Sequence, residues 1–194
     1  MPLLSKSRLN RTNYVVRKSL YDASRELRDA ASRAIKSNDR FDVFLSHRYL
    51  DAKEVLALKI IIESFGLTVY VDWIESPELD RTNVTKETAA SLRDVMRRSR
   101  SLLYALSTNS SGSKWMPWEL GYSDGLHGRV AIVPVTDQQT TAESYDGVEY
   151  LGIYPYLTLT PNKAREDKLW VRDSASSYVL LPEWINGASI FSGP

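Results

Sequence analysis

Hydrophobic positions in this chain follow two alternating patterns. Short apolar runs rich in β-branched and aromatic residues predict buried strands at 41–46, 67–72, 102–106 and 130–135. Between them, apolar residues recur every three or four positions, which predicts helices over 55–65, after Thr85, and over 114–126. Strands that alternate with helices of this length indicate βαβ units with right-handed crossovers. The pattern therefore predicts an α/β fold, with a parallel sheet covered by helices on both faces.

The two ends of the chain have weaker patterns. Residues 1–13 are polar, and 14–36 predict an amphipathic helix with a narrow, Ala-rich stripe that suits close packing on this domain or on a second subunit. Beyond Val135, 154–159 is a candidate fifth strand, and 178–185 is a short strand or turn with Trp184 packing back. There is no internal repeat and no second core. We expect one domain at 41–160, an N-terminal basic helical extension at 1–40 and a C-terminal extension at 161–194 that packs on the domain.

The composition excludes several kinds of catalytic group and metal site. The 194 residues include no cysteine, which removes disulfides, cysteine-ligated zinc, iron–sulfur clusters and thiol nucleophiles. His47 and His127 fall on different predicted elements, so we expect no metal site. No apolar run approaches the length of a membrane helix, and the first residues do not resemble a secretory signal. A soluble, cytoplasmic protein without a membrane partner is the expectation.

Charge is unevenly distributed. Residues 1–40 hold ten Lys or Arg against four Asp or Glu, whereas the rest of the chain holds 15 against 20. A basic arm of this kind can bind nucleic acid or a membrane surface. Here the basic residues fall within a helical pattern and few aromatics accompany them, which favours a solvated helix face. We therefore expect no nucleic-acid partner.

Polar and aromatic residues gather where the predicted strands end. In an open parallel sheet, ligands bind at the carboxyl ends of the strands, which here are 46–49, 72–73 and 107–113. Just beyond, Trp115 and Glu119 are four apart, so they share one helix face. A carboxylate beside an indole suits cleavage of an N-glycosidic bond through an oxocarbenium-like sugar. The spacing alone equally fits a first-turn Glu favoured by the helix dipole, with the tryptophans in the core.

The residues themselves resemble the Toll/interleukin-1 receptor (TIR) family. The run Phe41-Asp42-Val43-Phe44-Leu45-Ser46-His47 is similar to the opening strand of TIR domains. The segments 66–72 and 102–107 resemble its second and third strands, and the loop through Pro77 lies where its BB loop does. Ser113-Lys114-Trp115 followed by Glu119-Leu120 matches its S-K-W-C-x-x-E-L block. The four blocks are in the right order over half of the chain.

The resemblance implies a flavodoxin-like, five-stranded fold and, in the enzymatic branch, cleavage of NAD. The products would be nicotinamide and an ADP-ribose that is linear, cyclic or conjugated. Glu119 falls on the catalytic glutamate of that branch, and Trp115 on the aromatic that precedes it. NAD is then a substrate, and no cofactor or metal is required. Further candidates for contacting the nucleotide are Ser46, His47, Arg48 and Trp73.

A lone TIR domain also resembles the bacterial branch that includes the Thoeris-type anti-phage proteins. These make a nucleotide signal for a separately encoded effector, and TIR domains commonly self-associate. Two departures from the family pattern stand out. Met116-Pro117 replaces the usual Cys and small or polar residue, and the loop at 73–84 lacks the R-G-x-x-I pattern and keeps only Arg81.

Three other functions compete with an NAD-cleaving enzyme. A non-catalytic TIR adaptor would act by TIR–TIR association and has no need of Glu119. A flavodoxin-like nucleoside deoxyribosyltransferase also uses a glutamate, but the TIR-like first strand argues against it. A Ser46–His47–Asp hydrolase is disfavoured because the chain has no G-x-S-x-G elbow and because adjacent strand residues point to opposite faces. The phosphate-binding motifs of Rossmann and P-loop proteins are also missing.

Overall fold

The computed structural model describes residues 3–9, 19–37, 39–48, 51–71, 86–137 and 149–192. Its helices are α1 (Lys6–Leu9), α2 (Leu20–Lys36), α3 (Ala52–Ser64), α4 (Lys86–Arg98), α5 (Trp115–His127) and α6 (Leu181–Ile185). Its strands are β1 (Leu4–Ser5), β2 (Phe41–Ser46), β3 (Val69–Val71), β4 (Ser99–Leu106), β5 (Val130–Thr136), β6 (Tyr156–Pro161), β7 (Asp167–Arg172), β8 (Ser177–Leu180) and β9 (Phe191–Ser192). Two 3-10 turns lie at Ser110–Gly112 and Glu149–Ile153.

The central sheet has the strand order β3-β2-β4-β5-β6-β7-β8-β9. The first five strands in this order pair in parallel, and the last three add as antiparallel neighbours. The parallel part is the predicted flavodoxin-like, five-stranded arrangement, so the predicted fold class is confirmed. Its strands are buried along nearly their whole length, as expected when both faces of a parallel sheet are covered.

Strand order also decides which helix covers which face. The chain moves from β2 to β3 in one direction along the sheet and then returns past β2 to β4 and β5. Because each crossover is right-handed, α3 lies on one face while α4 and α5 lie on the other. Helices α4 and α5 contact each other, and both contact β4. Left-handed glycines end α3 at Gly66 and α5 at Gly128, where φ is 80° and 63°.

The N-terminal helix packs on this domain. Helix α2 begins with a capping box between Ser19 and Asp22 and contacts α3 and β3. The stripe residues Ala23, Leu27 and Ala31 are buried in the same core as the sheet. The predicted Ala-rich stripe therefore covers this domain's own surface. The first part of the predicted helix, 14–18, lies outside the described residues.

The described residues near both ends of the chain form more secondary structure than their sequence patterns predict. Leu4 and Ser5 form a parallel strand on β5, although residues 1–13 read as a polar lead-in. The candidate fifth strand at 154–159 forms as β6, but its hairpin with β7 was not predicted. The strand β8, helix α6 and the buried Trp184 fit the short strand or turn expected at 178–185. Within the described ranges, no helix is both long and apolar enough to cross a bilayer.

Candidate functional site

A buried hydrogen bond joins the first strand of the central sheet to α5. Ser46 Oγ donates to Glu119 Oε2 over 2.5 Å, and the two residues are 0% and 1% exposed. Ser46 is the last residue of β2 and pairs in register with Tyr104 on β4. Glu119 lies on the buried side of α5 together with Met116, and so its carboxylate faces the end of the sheet. Two of the predicted site residues thus meet directly.

Trp115 lies one turn before Glu119 and begins an aromatic row along α5. Its ring meets Trp118 edge-on with centroids 5.2 Å apart, and Trp118 stacks on Tyr122 at 5.8 Å. The Arg97 guanidinium of α4 lies 5.9 Å from the Tyr122 ring. Trp115 is half-buried at the edge of this row, so it combines a packing role with a partly open indole. The position of Trp115 is therefore consistent both with packing in the core and with an aromatic wall beside the carboxylate.

Arg48 and His47 follow β2 at the same edge of the sheet. The Arg48 guanidinium donates to the backbone carbonyl of Asn109. It lies so close to Gly112 that a Cβ at that position would stand 2.4 Å from Arg48 Nη1. His47 is half-buried, with Nδ1 3.3 Å from the Leu45 carbonyl oxygen. The absence of a side chain at Gly112 thus leaves room for the Arg48 guanidinium.

Asp51 organises the loop after β4. It is 3% exposed and accepts hydrogen bonds from Ser107 Oγ at 2.5 Å and from Asn109 Nδ2 at 2.7 Å. Ser107 and Asn109 in turn hold the 3-10 turn that contains Gly112, because the Ser110 amide donates to the Ser107 carbonyl at 3.1 Å. This buried carboxylate connects the start of α3 to the loop that carries Arg48's carbonyl partner.

Hydroxylated residues and carboxylates line a cavity of about 770 Å³ at the carboxyl ends of β4 and β5. Its walls include Tyr104, Leu106, Pro117 and Pro134, and Leu3 and Tyr150 complete it from the two sides. A volume of this size fits the range of small-molecule sites, about 300–1,000 Å³. Glu119 does not line the cavity, although Pro117 lies only two residues before it on α5.

An ion pair fixes the N-terminal segment at the cavity. Lys6 Nζ lies 2.6 Å from Asp137 Oδ1, just after β5. The hydrogen bond from Lys6 lowers the pKa of Asp137 below its ordinary value, and the same bond raises the pKa of Lys6. Leu3, which the sequence placed in an extension, thus lines the cavity, and Lys6 ties the same segment to the end of β5.

The structure describes five of the six predicted site residues. Ser46, His47, Arg48, Trp115 and Glu119 all lie at the carboxyl edge of the sheet, and Ser46 and Glu119 are in contact. Trp73 lies outside the described residues. In the described part of the chain, no group of three His, Cys, Asp or Glu residues could hold a metal ion.

Sequence analysis missed several residues of this region. The rule that ligands bind at the carboxyl ends of parallel strands indicated the loop 107–113 as a whole. Nothing in the sequence indicated that Asp51 would hold this loop by hydrogen bonds. Tyr104 was read as an ordinary strand residue, although alternation along β4 places it on the same face as Ser46. Asp137 and Glu149 belong to no recognised sequence motif. They line the cavity because the tertiary fold brings them there, and no local sequence pattern indicates this.

Comparisons with known proteins agree with this architecture. No family model matches the chain. It is 42% identical over 182 residues to a protein of Bacillus cereus (strain MSX-D12) named probable 3′ cyclic ADP-D-ribose synthase ThsB′, covering 91% of this chain and 94% of that protein. It is also 26% identical over 113 residues to the putative cyclic ADP-D-ribose synthase TIR2 of Cytobacillus dafuensis, covering 58% of this chain and 30% of that protein. With an α/β sheet of the flavodoxin-like order and a relative this similar over nearly its whole length, the chain belongs to the bacterial TIR-domain family that includes ThsB′.

Proposed function

We propose that this protein cleaves the bond between nicotinamide and ribose in NAD and closes the remaining ADP-ribose into a cyclic product. The observation that carries the proposal is the buried Ser46–Glu119 pair, which lies at the ligand-binding edge of the sheet. The printed name of the relative that is 42% identical, a cyclic ADP-D-ribose synthase, supports the same reaction class. Release of linear or conjugated ADP-ribose is the alternative outcome that product analysis would reveal.

In this mechanism Glu119 is the catalytic carboxylate. As the C1–N bond breaks, nicotinamide leaves as a neutral molecule with the bonding electron pair, and the ribose becomes oxocarbenium-like. A carboxylate near that sugar stabilises the developing positive charge or holds its hydroxyls. A hydroxyl of the second ribose then attacks C1, the new C–O bond closes the ring, and the hydroxyl proton passes to solvent. The hydrogen bond from Ser46 orients Glu119 for this role.

Binding of the nucleotide is assigned to the residues around this pair. Arg48 supplies a planar guanidinium, which suits the diphosphate. Trp115 offers an indole face to a base, and Ser46, His47 and Trp73 complete the proposed contacts. Because Glu119 is 1% exposed, side chains that cover it must move before NAD reaches the carboxylate. Self-association through the TIR domain is one event that would supply this change.

The biological setting follows from the same family membership. We propose a cytoplasmic enzyme of anti-phage defence whose cyclic nucleotide product activates a separately encoded effector. NAD is consumed as a substrate, and the proposed chemistry needs no further cofactor. A non-catalytic adaptor would share the fold and the capacity for association but would leave NAD intact.

The decisive experiment measures nicotinamide release from NAD by the concentrated, purified protein, with mass spectrometry of the products. Glu119→Gln should reduce release by about 10²–10³-fold, since it removes one preorganised charge at the reacting sugar. Glu183→Gln is the matched control, because Glu183 is exposed on α6. Equal release by the wild type and Glu119→Gln would overturn the assignment. A folded, concentrated wild type that never consumes NAD would favour the adaptor.

A further inference from the structure

We propose that the 770 Å³ cavity beside α5 is a second subsite that binds the adenosine half of the substrate. This inference rests on the proposed function, because it addresses how one NAD molecule is cleaved and then closed on itself. Cyclisation requires a hydroxyl of the adenosine ribose to reach the other ribose's C1. The substrate must therefore bind in a folded shape, with both ends held on one protein.

The position of the cavity meets this requirement. Successive residues of an α-helix are about 100° apart, so Pro117 and Glu119 point to nearly opposite sides of α5. Pro117 lines the cavity, whereas Glu119 faces Ser46. Tyr104 of the cavity wall is the register partner of Ser46 on the neighbouring strand, so the sheet connects the cavity to the Ser46–Glu119 pair. A dinucleotide folded over the first turn of α5 would thus place one half on each side.

The wall of the cavity suits a nucleoside. Leu3, Leu106 and Pro134 contribute apolar surface to the cavity, and Tyr150, which is 44% exposed, contributes an aromatic ring. A planar base gains from such a surface because every base has a face that stacks on aromatic side chains. The nicotinamide half is the worse fit, since its reacting carbon has to meet Glu119, and Glu119 is not among the lining residues.

Polar groups in the same cavity suit a ribose. The exposed Glu149 carboxylate forms no ion pair within the described ranges, and carboxylates commonly accept hydrogen bonds from ribose hydroxyls in nucleotide sites. Glu149 has a φ of 52°, a left-handed conformation that is rare for residues other than glycine and that clusters at binding sites. Ser113 Oγ accepts the Met116 amide hydrogen at 3.3 Å, and in the described structure its own hydrogen has no acceptor. Both groups are therefore available to a ligand.

AMP and nicotinamide mononucleotide, the two halves of NAD, separate this subsite from the catalytic site. We expect AMP to bind the wild-type protein in calorimetry, and two variants to weaken it about ten-fold. Leu106→Trp fills the cavity, and Tyr150→Ala removes its aromatic wall. The matched controls are Leu126→Trp and Phe191→Ala, which change exposed residues outside the cavity and should bind AMP normally. Thermal melts confirm that each variant is folded.

The outcomes distinguish this subsite from the catalytic assignment. Glu119→Gln should bind AMP as the wild type does while losing nicotinamide release. Leu106→Trp should lower kcat/KM for NAD about ten-fold relative to kcat/KM for nicotinamide mononucleotide, and should shift NAD products from cyclic to linear. Wild-type binding of AMP by folded Leu106→Trp and Tyr150→Ala, or no binding of AMP by the wild type at millimolar concentration, would overturn the subsite. Neither result depends on whether Glu119 is catalytic.

Discussion

Ser46 and Glu119, which are 73 positions apart in the sequence, share a 2.5 Å hydrogen bond that is buried from solvent. Removing the donor leaves a buried carboxylate oxygen short of one partner. We expect Ser46→Ala to lower the free energy of unfolding by about 1–3 kcal/mol. Urea denaturation measures this, with the exposed Ser176→Ala as a control of the same chemistry. In a double-mutant cycle, the effects of Ser46→Ala and Glu119→Gln should be non-additive. Strict additivity would mean that the contact contributes nothing.

Gly112 offers a way to move Arg48 without mutating it. In Gly112→Ala the new methyl group would lie 2.4 Å from Arg48 Nη1, so the flexible guanidinium must shift while the backbone stays in place. If Arg48 binds the diphosphate, Gly112→Ala and Arg48→Ala should both lower kcat/KM for NAD by about ten-fold or more. Gly121→Ala on α5 is the control, because a Cβ there meets nothing within 4 Å. It should keep full activity and gain about 0.5–1 kcal/mol of stability. Unchanged kinetics in Gly112→Ala would remove Arg48 from the binding site.

Asp51, which precedes α3, should contribute more to the free energy of unfolding than a typical surface carboxylate does. Asp51→Ala removes the acceptor of both Ser107 Oγ and Asn109 Nδ2. Because these donors hold the loop after β4, we expect a loss of about 2–4 kcal/mol in unfolding free energy, together with weaker NAD binding. Chemical denaturation gives the first quantity, and substrate titration gives the second. Asp94→Ala, which removes an i,i+4 surface ion pair with Arg98, should cost far less. Similar losses in the two variants would argue against a special role for Asp51.

The Lys6–Asp137 ion pair predicts a specific pH dependence. The pKa of Asp137 is below its ordinary 3.8, so its stabilising contribution is present above that value and is lost as acid approaches the folded pKa. The pKa of Lys6 is above its ordinary 10.5, so its contribution is lost only as the pH rises past that value. The difference in unfolding free energy between wild type and Lys6→Met should therefore be constant near neutrality and shrink in acid. Lys163→Met, which changes a lysine at an exposed position, is the control. A difference that grows in acid would contradict this assignment.

The burial of His127 leads to a second prediction of pH-dependent stability. Here the pKa shift comes mainly from loss of solvation and not from an ion pair. Burial lowers its pKa below 6.5, and its Nδ1 accepts the Arg129 amide hydrogen at 3.1 Å. The Asp124 carboxylate opposes this shift, and Arg129 adds to it. The unfolded chain therefore binds a proton as the pH falls through 6.5, while the folded protein does not, and stability decreases. His127→Gln should flatten the stability profile between about pH 5 and pH 7. A profile equally steep in both proteins would show that another group is responsible.

The central sheet and Glu119 could be predicted because their signals are local. Each strand from Phe41 to Thr136 contains a short apolar run, and Gly66 and Gly128 mark helix ends by their own backbone preference. The strand-end rule and the resemblance to TIR domains assigned Ser46 and Glu119 to the same edge of the sheet, but their direct hydrogen bond was not predicted. Whether these residues act on NAD stays a prediction until the variants are assayed.

The remaining features depend on long-range contacts that leave no local pattern. Strand β1 has only two residues, too few to show any periodicity. It pairs with Val135 and Thr136, which lie beyond the registered pairs of β5 with β4 and β6. The hairpin between β6 and β7 turns through Arg165 at a φ of 62°, where the usual glycine or asparagine signal is missing. Asp51 could not be singled out because its two partners lie 56 and 58 residues away.

The pairing of β1 with β5 also fixes when the cavity can form. Thr136 Oγ1 donates to the Leu4 carbonyl oxygen, a contact between residues 132 positions apart, and Leu3 is part of the cavity wall. During synthesis, the N-terminal residues must wait until β5 has left the ribosome before this wall can close. Because Glu149, Tyr150 and Leu151 also line the cavity, it is complete only after these later residues have been synthesised.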